Sequence, residues 1–166
     1  MGITVGLDIY FYERHYLKGK NGSTDCYPDV RVQEYEDWTG KKRNARIIKN
    51  AKFVTSDFGY FRKANQIHGF IVDRYGQEED INCKDIILRE EDILDLYNIC
   101  KELLAIKGVK KFREKAKELL PCSDGFFFGS QEYDKYYRQD LREYVKMVDK
   151  MDLDNPEIDY IYHCWY

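Results

Sequence analysis

Residues 3 to 12 alternate: Ile3, Val5, Leu7, Ile9 and Phe11 fall on one parity, and Thr4, Asp8, Tyr10 and Tyr12 on the other. Successive side chains of a strand point to opposite faces, so this pattern describes a strand with one buried face. Such a strand needs a sheet covered on one side. The closing segment IDYIYHCWY, after Pro156, also alternates and is rich in aromatics. It reads as a last strand docked into that sheet.

Between these ends the chain mixes strand and helix signals. From Gly19 to about Asn50 it is polar and rich in turn formers, with no sustained period, and reads as a long excursion or flap holding a short strand at Val30 to Tyr35. AKFVTSDF (51 to 58) reads as a strand, with Ser56 or Asp57 capping a helix over residues 59 to 73. At 100° per residue that helix buries Tyr60, Ala64, Ile67 and Ile71, and sets Arg62, Asn65, Gln66, Gly69 and Asp73 opposite. CKDIILR (83 to 89) is a further strand. Residues 90 to 106 form a helix with acids in its first turn and Ile93, Leu96, Tyr97, Cys100, Leu103 and Leu104 on its buried face. A basic helix follows from Val109 to Leu120, ended by Pro121. Ser130 is a good N-cap for a long helix over 131 to 151, where Tyr133, Tyr137, Leu141, Tyr144, Val148 and Met151 keep helical spacing.

Without strict βαβ alternation this is an α+β pattern: a mixed or mainly antiparallel sheet with three to four packed helices. At 166 residues the chain suits a single domain, long enough to bury a core without disulfides or metals.

Charge and cysteine content narrow the function classes. With 27 Lys+Arg against 30 Asp+Glu, the net charge of −3 gives no polyanion-binding field, which argues against general nucleic-acid binding. Five scattered cysteines without a CxxC pair suggest neither a disulfide framework nor a zinc site, and fit reduced thiols in a cytoplasm. The start lacks the basic n-region and unbroken apolar run of a signal peptide, and no window reaches the ~18 apolar residues of a membrane span.

The densest set of hydrogen-bonding side chains lies in GYFRKANQIHGF, residues 59 to 70. Arg62 offers a planar fork for phosphate, Lys63 a point charge, and Asn65, Gln66 or His68 a contact to a base or ribose. The same residues suit a solvated helix face with one satisfied histidine. Gly69, placed mid-helix at a cost of roughly 1 kcal/mol relative to Ala, suggests that something approaches the backbone there. Ser130 and the helix N-terminus after it are a candidate second anion contact, although Ser130 as a cap explains the same residues. Tyr133, Tyr136 and Tyr137, in the first two turns of that helix, suit a stacked base or sugar, and suit a helix-to-sheet core better. The tract KKRNARIIKNAK, 41 to 52, carries six positive charges and no acid; it guides an anion or only keeps a loop solvated.

For catalysis the pattern offers little. None of the three histidines sits in a metal-ligand or nucleophile motif, and the GFFFGS stretch is not a phosphate-binding fingerprint. No catalytic residue, metal site or cofactor is assigned. An acid/base pair of His68 with Asp8 or Asp57 would require the fold to bring them together.

GYFRKANQIH, the Gly6-Leu7-Asp8 start and GFFFGSQEYD resemble a family of small bacteriophage and prophage proteins. Members of that family typically begin Met-Gly-Leu-Asp-Met-Tyr, carry Gly-Tyr-Trp-Arg-Lys-Ala-Asn-(Ala/Gln)-Ile-His and then Gly-Phe-Phe-Phe-Gly-Ser, and close on an aromatic strand ending in Trp. Here Phe61 replaces the Trp, Ile3-Thr4-Val5 precede Gly6, and Tyr166 follows Trp165. The phosphoglycerate kinase assignment attached to some members does not suit a chain too short for that two-domain architecture. The resemblance implies a phage accessory protein; such proteins frequently oppose host defence, some as oligomeric sponges for nucleotide immune signals.

Together these point to a homo-oligomeric, non-enzymatic module that sequesters a nucleotide-derived signal in a basic, aromatic pocket of Arg62, Lys63, Asn65, His68, Ser130, Tyr133 and Tyr137. Two other readings stay open: an enzyme cleaving such a signal, and an inhibitor that binds a host protein through its aromatic C-terminus as a β-edge or hydrophobic patch.

Overall fold

A computed structural model describes residues 6–17, 29–36, 39–76, 81–125 and 128–166. Ile3, Thr4, Val5, Cys26, Phe126, Phe127 and much of the 19–50 excursion lie outside these residues. Strand β1 (Asp8–Tyr16) pairs antiparallel with β4 (Phe53–Arg62) on one side and with β6 (Ile158–Trp165) on the other, and β6 pairs antiparallel with the short β5 (Asp85–Ile87). The order is therefore β4-β1-β6-β5. Strands β2 (Val30–Glu36) and β3 (Lys42–Ile48) form a separate antiparallel hairpin. The expected strand at 30 to 35 is present, and its partner runs through the basic tract that the sequence shows only as charge.

The alternation in β1 is realised. Leu7, Ile9 and Phe11 are fully buried, and Ile9 and Phe11 face a core closed by four helices: α1 (Asn65–Tyr75), α2 (Glu90–Ala105), α3 (Val109–Leu119) and α4 (Lys135–Val148). Ile93, Leu96, Cys100 and Leu103 of α2 and Tyr137, Leu141, Tyr144 and Val148 of α4 supply the helical side of that core. Each such fully buried apolar side chain contributes roughly 1.5–3 kcal/mol of transfer free energy. The result is a compact α+β arrangement in which the four-stranded sheet is antiparallel throughout.

Three boundaries differ from the sequence pattern, and each moves a candidate residue. The strand expected at 51 to 58 continues to Arg62, so Ser56 and Asp57 are strand residues, and Tyr60, Phe61 and Arg62 are not helical. Helix α1 starts at Asn65 after Lys63, whose φ of 61° is the left-handed turn that ends β4. The last helix starts at Lys135, and its N-cap is Asp134, whose carboxylate accepts from the N–H groups of Tyr136 at 2.8 Å and Tyr137 at 3.1 Å. Ser130 lies four residues upstream of that cap, where its Oγ accepts from Glu132 N at 3.1 Å. An aspartate cap adds a charge–dipole attraction that a serine lacks.

No described helix is long and apolar enough to cross a membrane. Cys83, Cys100, Cys122 and Cys164 are free thiols.

Candidate functional site

The candidate site is a cleft of about 490 Å³ between the end of β4 and the polar face of α4. Among the described strands β4 lies at the edge of the sheet, so its last residues have no described strand neighbour on one side. Its end supplies Tyr60, Phe61, Arg62 and Lys63; Gln66 comes from α1, Ser130, Glu132 and Asp134 from the approach to α4, and Tyr136, Tyr137, Gln139, Asp140 and Glu143 from α4. The spacing of Tyr136, Asp140 and Glu143 puts them on one helix face.

At the lip, Asp8 orients two of these side chains. The Tyr60 hydroxyl donates to Asp8 Oδ1 at 2.5 Å, and Arg62 Nη1 stands 3.3 Å from the same oxygen. Desolvation first, and this hydrogen bond second, raise the Tyr60 pKa, so the phenol remains a donor. Half of the Tyr60 ring is exposed and 62% of Tyr136.

Deeper in, Gln66 Nε2 donates to Asp140 Oδ2 at 2.9 Å. Burial pushes the Asp140 carboxyl up to about 6; Glu143 and Asp134 add to the rise and the Gln66 bond opposes it. Among the described residues the cleft thus holds four carboxyl groups against two cations. The basic pocket expected from sequence is instead an acid-rich cleft with a cationic end. No described side chain of the 41–52 tract lines it.

Of the sequence-predicted residues, Arg62, Lys63, Ser130 and Tyr137 line the cleft, and Asn65, His68 and Tyr133 do not. Asn65 is buried, and its amide donates to Phe128 O at 3.0 Å and Ser130 O at 2.9 Å, tying α1 to the loop before α4. His68 is fully buried between the rings of Phe128, Tyr162 and Tyr166, with Nδ1 2.6 Å from the Tyr162 hydroxyl. Its burial lowers the imidazole pKa to about 4, so the ring is neutral at pH 7. Tyr133 accepts from Cys122 N at 3.2 Å and packs half-buried on the core. Tyr137 forms cleft floor only: its ring is 3% exposed and its hydroxyl donates to Leu120 O at 2.7 Å. Exposed ring faces for stacking are offered by Tyr60 and Tyr136.

Other expectations resolve into packing. A methyl on Gly69 would stand 1.9 Å from Ser123 Oγ, so the close neighbour of that glycine is the 121–125 segment. The N–H groups that open α4 are already taken by Asp134, which removes the second anion seat assigned to Ser130. His68 does not meet Asp8 or Asp57, because it packs on the core side of the sheet while both aspartates belong to the opposite parity of their strands. The C-terminal strand β6 is internal to the sheet, so it offers no β-edge. Among the described residues no group of three or more His, Cys, Asp or Glu is placed to hold a metal ion.

The residues missed were Tyr60 and the acids Glu132, Asp134, Asp140 and Glu143, and Tyr136 was considered with Tyr133 and Tyr137 but left out of the expected pocket. A signal for Tyr60 existed: Tyr60, Phe61 and Arg62 continue the alternation of a strand, with Phe61 buried and both neighbours exposed. For Tyr136, the polar face opposite Tyr137, Leu141 and Tyr144 was readable from helical spacing. No family profile, curated protein or solved structure matches this chain.

Proposed function

We propose that the protein is a binding module that captures a nucleotide-derived small molecule in the β4–α4 cleft and holds it without turnover, as an anti-defence sponge would. One observation carries this reading: the adjacent cations Arg62 and Lys63 share a cleft with the exposed rings of Tyr60 and Tyr136. Guanidinium and ammonium groups suit a phosphate, and a tyrosine face suits a base. The cleft volume falls within the usual range for small-molecule sites. Sequestration requires affinity and slow release, which a preformed cleft favours because little ordering is needed on binding.

Equilibrium dialysis of the protein against a mixture of mononucleotides, cyclic dinucleotides and cyclic ADP-ribose isomers tests it. Retention of one compound, recovered chemically intact after heat denaturation, is the expected result. Retention of none would end the reading.

A second reading, cleavage of the same ligand, is favoured by Asp140, whose burial-raised carboxyl is suited to proton transfer near neutral pH. Recovery of a cleaved product from wild type and of intact ligand from Asp140→Asn would establish it; intact ligand from wild type excludes it.

A further inference from the structure

We infer that the cleft takes a ligand with a single phosphate at one end and hydrogen-bond donors along the rest, the chemistry of a nucleoside monophosphate, and that Gly6 is the positioning residue for that phosphate. This rests on the nucleotide-binding reading above and narrows its ligand class.

The argument starts at Gly6. A methyl group there would stand 3.2 Å from Lys63 Cε and 3.3 Å from Arg62 Nη2. Because Gly6 has no side chain, the ends of two cationic residues close over its backbone. The two atoms are no farther apart than the sum of those distances. Like charges so near repel; Asp8 Oδ1, 3.3 Å from Arg62 Nη1, offsets the guanidinium, and an anion between the two side-chain ends would offset the ammonium as well.

Lys63 is held in this position from several sides. Its stem also runs past Gly129, where a methyl would meet Lys63 Cβ at 2.9 Å and Cδ at 3.1 Å. Its N–H donates to Leu7 O at 2.7 Å, its carbonyl accepts from Asn65 N at 2.9 Å, and its φ of 61° is unfavourable for a residue with a Cβ. Among the described residues its ammonium has no ion-pair partner. A lysine held in the left-handed region whose side chain lines a cleft points to a ligand.

The rest of the lining limits how many phosphates fit. Glu132, Asp134, Asp140 and Glu143 share the cleft. Ionised carboxylates only accept hydrogen bonds, so they match amino and hydroxyl groups and repel further phosphates. One phosphate is accommodated at the cationic end; a second or third extends toward acids.

The test is calorimetric titration with adenosine, guanosine, cytidine and uridine and with their mono-, di- and triphosphates, using wild type, Gly6→Ala and Lys63→Gln. We expect one monophosphate to bind about tenfold or more tighter than its nucleoside, as a charge-assisted contact implies, and affinity to fall with each further phosphate. The methyl of Gly6→Ala stands 3.2 Å from Lys63 Cε and 3.3 Å from Arg62 Nη2, so these flexible ends shift by a few tenths of an ångström; the variant should fold and narrow the gap between monophosphate and nucleoside. Lys63→Gln should narrow it too. Affinity that rises from mono- to triphosphate, or a Gly6→Ala variant that keeps the full monophosphate advantage, overturns the inference and leaves nucleotide binding standing. Absence of binding by every nucleoside and nucleotide overturns both.

Discussion

The two halves of GYFRKANQIHGF behave as different regions of the molecule. Tyr60, Arg62 and Lys63 are exposed and line the cleft, whereas Asn65 and His68, a few residues on, are buried away from it, and Gln66, also buried, reaches the cleft only through its bond to Asp140. Lys63 divides them, because its left-handed backbone ends the strand and redirects the chain into α1. Composition is therefore a poor guide to role: polar side chains on one side of the turn are available to a ligand, and those on the other side satisfy buried partners. A buried polar group that is hydrogen-bonded specifies a packing arrangement, and leaving its partners unsatisfied is costly.

If this contrast is right, the largest effect should come from the buried half. Asn65→Ala leaves the carbonyls of Phe128 and Ser130 without their donor and should cost about 4 kcal/mol of unfolding free energy in urea titrations; a loss below about 1 kcal/mol would mean that water replaces the amide.

His68 predicts a pH dependence. Its folded pKa of about 4 lies below the unfolded 6.5, so between these values the unfolded state binds more protons and stability falls as pH drops. The contribution is fully present above pH 6.5 and amounts to about 3 kcal/mol across the window. Comparing urea midpoints at pH 7 and 4.5 for wild type and His68→Gln checks it, because the variant should lose that part of the slope.

Gly69→Ala should cost about 2 kcal/mol through the clash with Ser123, and Ser123→Gly in the same chain should restore most of it; failure of the rescue would implicate something other than Ser123.

In the cleft the effects on stability shrink. Asp140 is an acid with a raised folded pKa, so its penalty is absent below about pH 4 and complete above about 6. Asp140→Asn should stabilise by about 1 kcal/mol at pH 7.5, once solvent screening is allowed for, and by nothing at pH 3.5. Lys63→Ala should change stability least, within about 0.5 kcal/mol.

Much of the fold was legible because it rests on strong periodicity. The alternation around Ile9 and Phe11, the stripe Ile93-Leu96-Cys100-Leu103 and the stripe Tyr137-Leu141-Tyr144-Val148 all bury as spaced. The β4–α1 junction was not legible, since Tyr60, Ala64, Ile67 and Ile71 also fit a helical face and a residue in the left-handed region leaves no mark when it is lysine instead of glycine. The start of α4 was misplaced because Ser130 and Asp134 are both competent caps, and the choice between them is made by tertiary packing. Arg62 and Lys63 could be chosen from their chemistry alone. Their acidic neighbours could not, because Glu132, Asp134, Asp140 and Glu143 join them only through the packing of α4 beside the sheet edge.

The central claim is that the exposed half of this segment binds a nucleotide. Its most direct test is the thermal midpoint of wild type and Lys63→Ala with the mononucleotide that wild type binds most tightly. At 100 times Kd the ligand should add about 2.7 kcal/mol, a shift of several degrees for a domain of this size. The account predicts that shift in wild type and its near disappearance in Lys63→Ala at the same concentration. Equal shifts in both proteins, or none in wild type with any nucleotide, would contradict it.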